Sequence, residues 1–300
     1  MYANLLTLGQ YANRPMSEIA SIEKQLAYAT SRLRGVSESA RLDAELLLAR
    51  SIDMPRSYLF AHPEDILDDD AIGRLEHALA RRISGEPMAY ITGSKEFWSL
   101  ELVVSPATLV PRPETELLVD IALREIPRGA DWDVLDLGTG SGAIGLAIAR
   151  DRPLCRVTAV DVSPDALAVA RENARQLTIP NVDFLEGDWT APVVSRKFRV
   201  IASNPPYVAS GDAALEALRA EPAIALVAGE DGLDSIVTLA RDCRAIIEDG
   251  GLLVLEHGAE QKDAVAERLL SYGWERIQCY DDYAGHPRVT SAYFSSSETT

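Results

Sequence analysis

The stretch DVLDLGTGSGAIGLAIA, residues 133–149, decides the fold. Its first five residues suit a short buried strand, and an alanine- and isoleucine-rich helical segment follows the glycines. Gly138, Gly140 and Gly142 let the backbone turn tightly and let a ligand touch it directly. The helix that follows offers free N–H groups at its start. Because Gly140, Gly142 and Gly145 also spell the dinucleotide fingerprint, a nicotinamide cofactor is an alternative at this point.

Short apolar runs alternate with helical stretches further along the chain, which predicts a parallel sheet with helices on both faces. The last two runs, residues 274–280 and 288–294, are joined too tightly for a crossover helix, so they are predicted to form an antiparallel pair at the sheet edge. Five parallel strands followed by such a pair resemble the plan of the α/β, seven-stranded, Rossmann-like class I methyltransferase fold. The other runs are RVTAVD (156–161), VDFLEGD (182–188), RVIASN (199–204) and LLVLE (252–256).

The ends of the second and third strands complete a predicted adenosine pocket. Asp161 lies about 20 residues after the glycines, where an acid commonly holds ribose hydroxyls. Asp188 can accept a hydrogen bond from an adenine amino group, and Trp189 offers it a flat face. The alternatives are a helix-approach turn for Asp161 and a core aromatic for Trp189. Asp136 adds negative charge that would favour a sulfonium over a pyrophosphate, and so S-adenosylmethionine over NAD.

The tetrapeptide Asn204-Pro205-Pro206-Tyr207 closes the fourth strand and indicates the chemistry. A planar NH2 nitrogen is a poor nucleophile because its lone pair is delocalised. Acceptors that hold both N–H bonds favour the transition state, in which the nitrogen gains positive charge. The Asn204 side-chain oxygen and the Pro205 carbonyl supply two acceptors, the prolines hold them rigidly, and Tyr207 can stack on the planar group. The alternative is a proline-rich turn; the proposed chemistry needs no metal and no general base.

The N-terminal region reads as a small helical bundle, a structural cap or a partner-recognition module. One helical face carries Ile22, Leu26, Ala29 and Leu33. Two further faces are predicted: Leu42, Leu46 and Ala49, then Ile72, Leu75, Leu79 and Ile83. The predicted domains are an N-terminal helical domain at 1–87, a β-hairpin linker at 88–110 with Gly93 and Ser94 at its turn, and a methyltransferase domain at 111–300.

Composition narrows the function classes. The 29 basic and 46 acidic side chains give a net charge of −17, which repels phosphate backbones and disfavours a nucleic-acid partner. Three scattered cysteines suit a reducing cytosol, and no apolar run is long enough to cross a bilayer. We expect a cytoplasmic monomer that contacts no membrane. The N-terminus predicts no signal peptide, and Met16 is an alternative start. The four histidines lack the spacing of metal ligands, so no metal site is predicted.

Several blocks together resemble the PrmC/HemK family of release factor glutamine methyltransferases over nearly the whole chain. SNPPY alone is shared with adenine-specific DNA methyltransferases, whereas its combination with the block around residues 97–116 is far more specific. Gly285-His286-Pro287-Arg288 departs from the family pattern. The blocks are GEPMAYITGSKEFWSLELVVSPATLVPRPETE (85–116), VLDLGTGSGAIGLAIA (134–149), SNPPY (203–207), EPAIALVAGEDGLD (221–234) and LLVLEHG (252–258).

The resemblance implies methylation of the glutamine in the Gly-Gly-Gln motif of peptide chain release factors, with S-adenosylmethionine converted to S-adenosylhomocysteine. It implies that the helical region docks the release factor, that residues 204–207 hold the glutamine amide, and that residues 112–116 lie near the methionine end of the cofactor. An adenine amino-group methyltransferase is the main alternative. The implied cofactor-binding residues are Gly138, Thr139, Gly140, Ser141, Gly142, Asp161, Trp189 and Asn204.

Overall fold

A computed structural model describes residues 20–296 and divides the chain into two compact units, one ending at Thr92 and the other beginning at Gly93. The expectation about Met16 and the residues before it lies outside the described residues. The helices of the first unit are α1 (Ile22–Leu33), α2 (Ala40–Ser51), α3 (Arg56–Ala61), α4 (Asp69–Ile83) and α5 (Met88–Thr92).

The apolar faces of this helical unit were predicted with mixed success. Helix α1 buries Ile22, Leu26, Ala29 and Leu33, as its spacing predicts. The face predicted for α2 is only partly right: Ala49 is buried, but Leu42 is 41% exposed, and Leu47 and Leu48 are buried instead. Helix α2 turns its acidic side chains inward, where they form ion pairs that satisfy buried charge. Periodicity of apolar residues alone does not reveal such pairs.

The second unit contains a two-stranded hairpin and a seven-stranded sheet in the order β5-β4-β3-β6-β7-β9-β8. Strands β3 to β7 run parallel, and β9 lies antiparallel to both β7 and β8, which confirms the predicted plan. The strands are β1 (Ser94–Phe97), β2 (Leu100–Val103), β3 (Asp133–Leu137), β4 (Arg156–Asp161), β5 (Val182–Glu186), β6 (Phe198–Ser203), β7 (Ile247–Glu256), β8 (Glu275–Asp281) and β9 (Pro287–Tyr293).

Helices cover both faces of this sheet because successive strand residues point to opposite sides. These helices are α6 (Thr115–Glu125), α7 (Ala143–Asp151), α8 (Pro164–Gln176), α9 (Ala214–Ala217), α10 (Asp234–Asp242) and α11 (Lys262–Ser271). Val134 packs into one core with helices α6 and α7, and Leu135 packs into the other with α10 and α11.

The turn of the hairpin lies at Trp98 and Ser99, so the turn predicted at Gly93 and Ser94 is wrong. Phe97 pairs with Leu100, and both turn residues have positive φ, 51° and 55°. Two-residue hairpin turns of this kind need positive φ at both positions, which sequence rules assign to Gly, Asn or Asp. Here neighbouring side chains hold the turn: the Arg150 guanidinium donates to both turn carbonyls.

Candidate active site

A cavity of about 530 Å3 opens at the carboxyl edge of the sheet, where β3, β4, β5 and β6 end. Because the carboxyl ends of parallel strands lie at the same edge of a sheet, motifs that are far apart in the sequence lie close together there. Nine residues predicted from the sequence line the cavity: Gly138, Thr139, Gly140, Ser141, Asp161, Asp188, Trp189, Asn204 and Pro206.

Gly142, Pro205 and Tyr207 were also predicted, but they do not line the cavity. Gly142 has φ +85°, and a Cβ there would lie 2.9 Å from Leu146 Cδ1, so glycine is needed to turn the chain into α7. Pro205 is buried at the end of β6, and Tyr207 is half-buried.

Asp136 holds the glycine loop from beneath instead of facing the cavity. Its Oδ2 accepts hydrogen bonds from Thr139 Oγ1 at 2.6 Å and from the Gly145 amide at 2.9 Å. Burial is complete and raises the pKa of this carboxyl to about 6, while the two hydrogen bonds oppose the rise. The loop therefore has a fixed shape before any ligand arrives.

Asp161 ties the end of β4 to the same loop. Its Oδ2 accepts from the Gly140 amide at 2.8 Å and its Oδ1 accepts from the Ser163 amide at 2.9 Å. A carboxylate oxygen has two acceptor positions, so each still has one for ribose hydroxyls. Trp189 also lines the cavity, and a Cβ on Gly138 would lie 3.6 Å from its ring.

Asn204 lies at the end of β6 with its two side-chain atoms in different situations. Nδ2 donates to Thr115 Oγ1 at 3.2 Å, whereas the buried Oδ1 has no hydrogen-bond partner. Such unpaired buried acceptors are rare and call for an explanation. Ser203 Oγ donates to the Leu137 carbonyl at 2.7 Å and so joins the ends of β6 and β3. The strand ends hold Asn204 in place beside the glycine loop.

Tyr207 is held by hydrogen bonds of its hydroxyl and its backbone carbonyl. Its hydroxyl donates to Glu256 Oε1 at 3.2 Å, and its carbonyl accepts from Gln261 Nε2 at 3.0 Å. Burial, helped by Glu256, raises the pKa of Tyr207, so the phenol keeps its proton and acts as a donor. Glu256 is itself only 1% exposed, and burial raises the pKa of its carboxyl to about 7.

An ion pair that the sequence reasoning missed joins two segments at the cavity rim. The Arg112 guanidinium pairs with Glu221, whose other oxygen accepts from the Val110 amide at 3.0 Å. Pro111 and Pro222, adjacent to the two partners, line the cavity. The only sequence signal was that both partners fall in blocks shared with the family, since 109 residues separate them.

His257 next to Glu256 has a structural role. Its Nδ1 lies 2.8 Å from the Gly258 carbonyl and its Nε2 lies 2.8 Å from Thr290 Oγ1. Within residues 20–296, no three His, Cys, Asp or Glu side chains are grouped to hold a metal ion. Over the same residues, no helix combines the length and apolar character needed to cross a bilayer.

The sheet order, the glycine loop and the cavity at the strand ends define a Rossmann-like class I methyltransferase. The family model "Methyltransferase small domain" matches residues 113–229 and "PrmC N-terminal domain" matches residues 24–93. The crystal structure of a methyltransferase from Pyrococcus furiosus shares the fold, with a TM-score of 0.51 and 23% identity over 73% of this chain and 98% of that one. Membership of a methyltransferase family implies S-adenosylmethionine as the methyl donor.

The curated relatives identify the family more narrowly than the domain models do. The release factor glutamine methyltransferase of Vibrio cholerae is 46% identical over 280 residues, which cover 92% of this chain and 98% of the relative. That of Escherichia coli K12 is 43% identical over 267 residues, covering 88% and 96%. The chain therefore belongs to the release factor glutamine methyltransferase family.

Proposed function

We propose that this protein methylates the side-chain amide nitrogen of the glutamine in the Gly-Gly-Gln motif of peptide chain release factors. The observation that carries the proposal is the unpaired Oδ1 of Asn204, a buried acceptor on a residue that lines the cavity beside the glycine loop. A glutamine side chain brings an NH2 group that such an acceptor can bind. The names of the Vibrio cholerae and Escherichia coli relatives give release factors as their substrate.

The cavity residues fit S-adenosylmethionine, which supplies an electrophilic methyl group when it is bound. We assign residues 138–142 to the backbone-lined part of its site, Asp161 to its ribose hydroxyls and Trp189 to its adenine. Asn204 faces both cofactor and substrate. The rigid loop and the unpaired acceptor are the structural features that support this assignment.

The residues at the end of β6 act on the substrate nitrogen. Asn204 Oδ1 accepts one N–H bond, the Pro205 carbonyl accepts the other, and Pro206 fixes the backbone between them and Tyr207. Tyr207 packs its ring beside the planar amide. Both hydrogen bonds strengthen as the nitrogen becomes positive, which lowers the barrier. The methylated nitrogen is then acidic enough to lose its proton to water, so this chemistry requires no metal.

We propose that the helical domain, residues 1–87, docks the release factor, and that the hairpin region 88–110 joins it to the methyltransferase domain, residues 111–300. A net charge of −17 supports a protein partner over direct nucleic-acid binding. Three free cysteines, two of them buried, are compatible with a cytoplasmic monomer.

The test is transfer of a labelled methyl group to purified release factor, with peptide mass spectrometry to locate it. We expect one methyl group on the glutamine of Gly-Gly-Gln, and none on a release factor in which that glutamine is replaced by asparagine. Duplex and single-stranded nucleic acids are parallel acceptors. Label in adenine amino groups and none in protein would replace the proposal with the adenine methyltransferase.

A further inference from the structure

A second cavity, of about 390 Å3, lies within the helical unit, and its lining comes from α2, α4 and α5. Leu47 and Ile91 are buried and form part of its surface. Among the described residues, the charged side chains that line this basic pocket are all cationic: Arg50, Arg74, Arg81 and, when protonated, His77. The pocket is therefore opposite in sign to the chain as a whole, whose net charge is −17.

Most arginines of the helical unit are neutralised by a carboxylate. The pairs are Arg32–Glu76, Arg41–Glu45, Arg56–Glu45, Arg81–Glu86 and Arg82–Asp43. Within the part of the chain that the structure describes, Arg50 and Arg74 form no such pair. The basic pocket thus keeps the charge of two guanidinium groups that nothing among these residues offsets.

Arg74 is held in place by one hydrogen bond that leaves most of its donors unused. Its Nε donates to the Ser51 carbonyl at the end of α2, at 2.8 Å. A guanidinium group has five N–H donors in a planar fork, so the four on its two NH2 groups remain. Two NH2 groups of one arginine can bind both oxygens of a carboxylate. Because the group is already oriented, less conformational freedom is lost when it binds an anion.

Gly73 leaves space in the basic pocket. It is the fifth residue of α4 and lines the pocket, and a Cβ built on it meets no atom within 4 Å. Packing therefore does not require glycine at this position. A glycine inside a helix also makes the helix less stable than an alanine would. The residue gives up helix stability and keeps room for a group from outside the unit.

We propose that the basic pocket binds an acidic side chain of the release factor when the helical unit docks it. This inference rests on the proposed function, because it names the chemistry that holds the partner. A glutamate or aspartate brings a carboxylate for the unpaired guanidinium groups of Arg50 and Arg74, and methylene groups for the apolar surface. The negative net charge of the chain repels an acidic segment elsewhere, so the pocket determines where that segment binds.

The first experiment compares Arg50→Glu with Arg34→Glu as a matched control. Both arginines are exposed, both lie at the C-terminal end of a helix, and neither has a carboxylate partner among the described residues. Only Arg50 lines the pocket. We expect Arg50→Glu to raise KM for full-length release factor by about tenfold and Arg34→Glu to raise it by less than about twofold. The loss should fall on KM rather than on kcat.

The two variants carry the same change in net charge, so long-range repulsion affects them equally. Their melting temperatures should agree, because both replace an exposed cation in the last turn of a helix. Calorimetry of release factor binding should repeat the difference in KM. Equal KM values for Arg50→Glu and Arg34→Glu would overturn the proposal.

Filling the pocket without changing its charge is an independent test. Gly73→Leu places a side chain in the open space above α4 and replaces glycine with a better helix former. We expect a melting temperature at or above that of wild type together with a KM for release factor raised by about fivefold or more. A KM equal to that of wild type would mean that nothing from the partner enters the pocket.

Salt separates a charge effect from a structural one. Raising the salt concentration from about 0.05 to about 0.5 M shortens the range of exposed charges to a few ångströms. The ratio of KM between Arg50→Glu and wild type should therefore shrink at high salt. A ratio that is independent of salt would show that Arg50→Glu acts through the structure of the unit, which contradicts the proposal.

Charge exchange identifies the partner group. Single Asp or Glu to Arg replacements in the release factor are assayed with wild type and with Arg50→Glu. At one position, the replacement should raise KM with wild type and lower it with Arg50→Glu. If no position does so, the pocket receives no carboxylate and the proposal fails.

Labelled single-stranded RNA is the probe for the other source of negative charge. RNA binding that Arg50→Glu abolishes, with an unchanged KM for release factor, would assign the pocket to nucleic acid and overturn the proposal. If wild type fails to methylate release factor, the proposed function fails. If wild type methylates it and Arg50→Glu matches Arg34→Glu, only the role of the basic pocket fails.

Discussion

The two ends of the cavity differ in whether their side-chain oxygens have hydrogen-bond partners within the protein. At the end that we assign to the cofactor, both Asp161 oxygens accept backbone N–H groups of the protein itself. At the end that we assign to methyl transfer, Asn204 Oδ1 is buried without a partner. Among the cavity-lining residues within 20–296, Asn204 is the one with such an orphaned side-chain atom.

We infer that the end with paired polar atoms serves to bind the cofactor and that the end with the unpaired acceptor serves methyl transfer. Internal hydrogen bonds give the cofactor end its shape in advance, so little ordering is needed on binding. Under the proposed function, Asn204 Oδ1 is left available for the substrate amide, and its hydrogen bond would strengthen as charge develops on the substrate nitrogen. Variants at the two ends should therefore change different kinetic constants.

The largest effect is expected for Asn204→Ala. Loss of the unpaired acceptor should lower the single-turnover rate of methyl transfer to release factor by about a hundredfold or more. The affinity for S-adenosylmethionine should change by less than about threefold, because most of its site is elsewhere. Gln176→Ala, a surface amide bonded to Glu172, is the control. An unchanged transfer rate would remove Asn204 from the chemistry.

Asp161→Ala should show the opposite pattern. It removes the predicted acceptor of the ribose hydroxyls and frees the amides of Gly140 and Ser163. Affinity for S-adenosylmethionine should fall by about ten- to a hundredfold, as for loss of a charged hydrogen bond, with kcat at saturation nearly kept. Asp165→Ala, an exposed carboxylate on α8, serves as control. A fall in kcat without loss of affinity would erase the contrast between the ends.

The ion pair at the rim should have an intermediate effect. Arg112→Ala leaves the buried Glu221 with one backbone donor, so the wall segments beside Pro111 and Pro222 lose a cross-link. We expect about a tenfold weaker cofactor affinity and a modest loss of stability. Arg112→Lys should recover only part of it, because a point charge does not replace the guanidinium fork. Calorimetry on both variants decides; equal affinities would show that the rim pair is independent of the site.

The smallest effect concerns stability against pH. The pKa of Glu256 is raised from 4.5 to about 7 in the folded protein. The shift therefore adds to the free energy of unfolding in full below pH 4.5, and this added stability is lost as pH rises through 7. That contribution amounts to at most about 3 kcal/mol. The melting temperature of Glu256→Gln relative to wild type should thus rise from pH 5 to pH 8. A difference that is constant with pH would mean that the carboxyl titrates as in the unfolded chain.

The sequence predicted the parts of the site that are local in the chain. A glycine loop after a strand, an acid at the next strand end and NPPY at the fourth each carry their own signal. Sheet topology then brings them to one edge, because parallel strands share their carboxyl ends. The predicted methyltransferase fold is confirmed by the observed strand order.

The missed features depend on side chains from distant segments. The partner of Arg112 lies 109 residues away, and no spacing rule links the two. The hairpin turn at Trp98 and Ser99 is held by Arg150 from another element, so turn propensity placed it wrongly. The burial of Glu256 and its contact with Tyr207 could not be predicted from the sequence, because both exist only in the fold.

The most direct test is a structure of the protein with S-adenosylhomocysteine and a Gly-Gly-Gln peptide. The account predicts that the glutamine amide nitrogen lies about 2.7–3.2 Å from Asn204 Oδ1, with Asn204 Nδ2 still on Thr115. A substrate amide bound elsewhere, with Asn204 Oδ1 still unpaired, would contradict it.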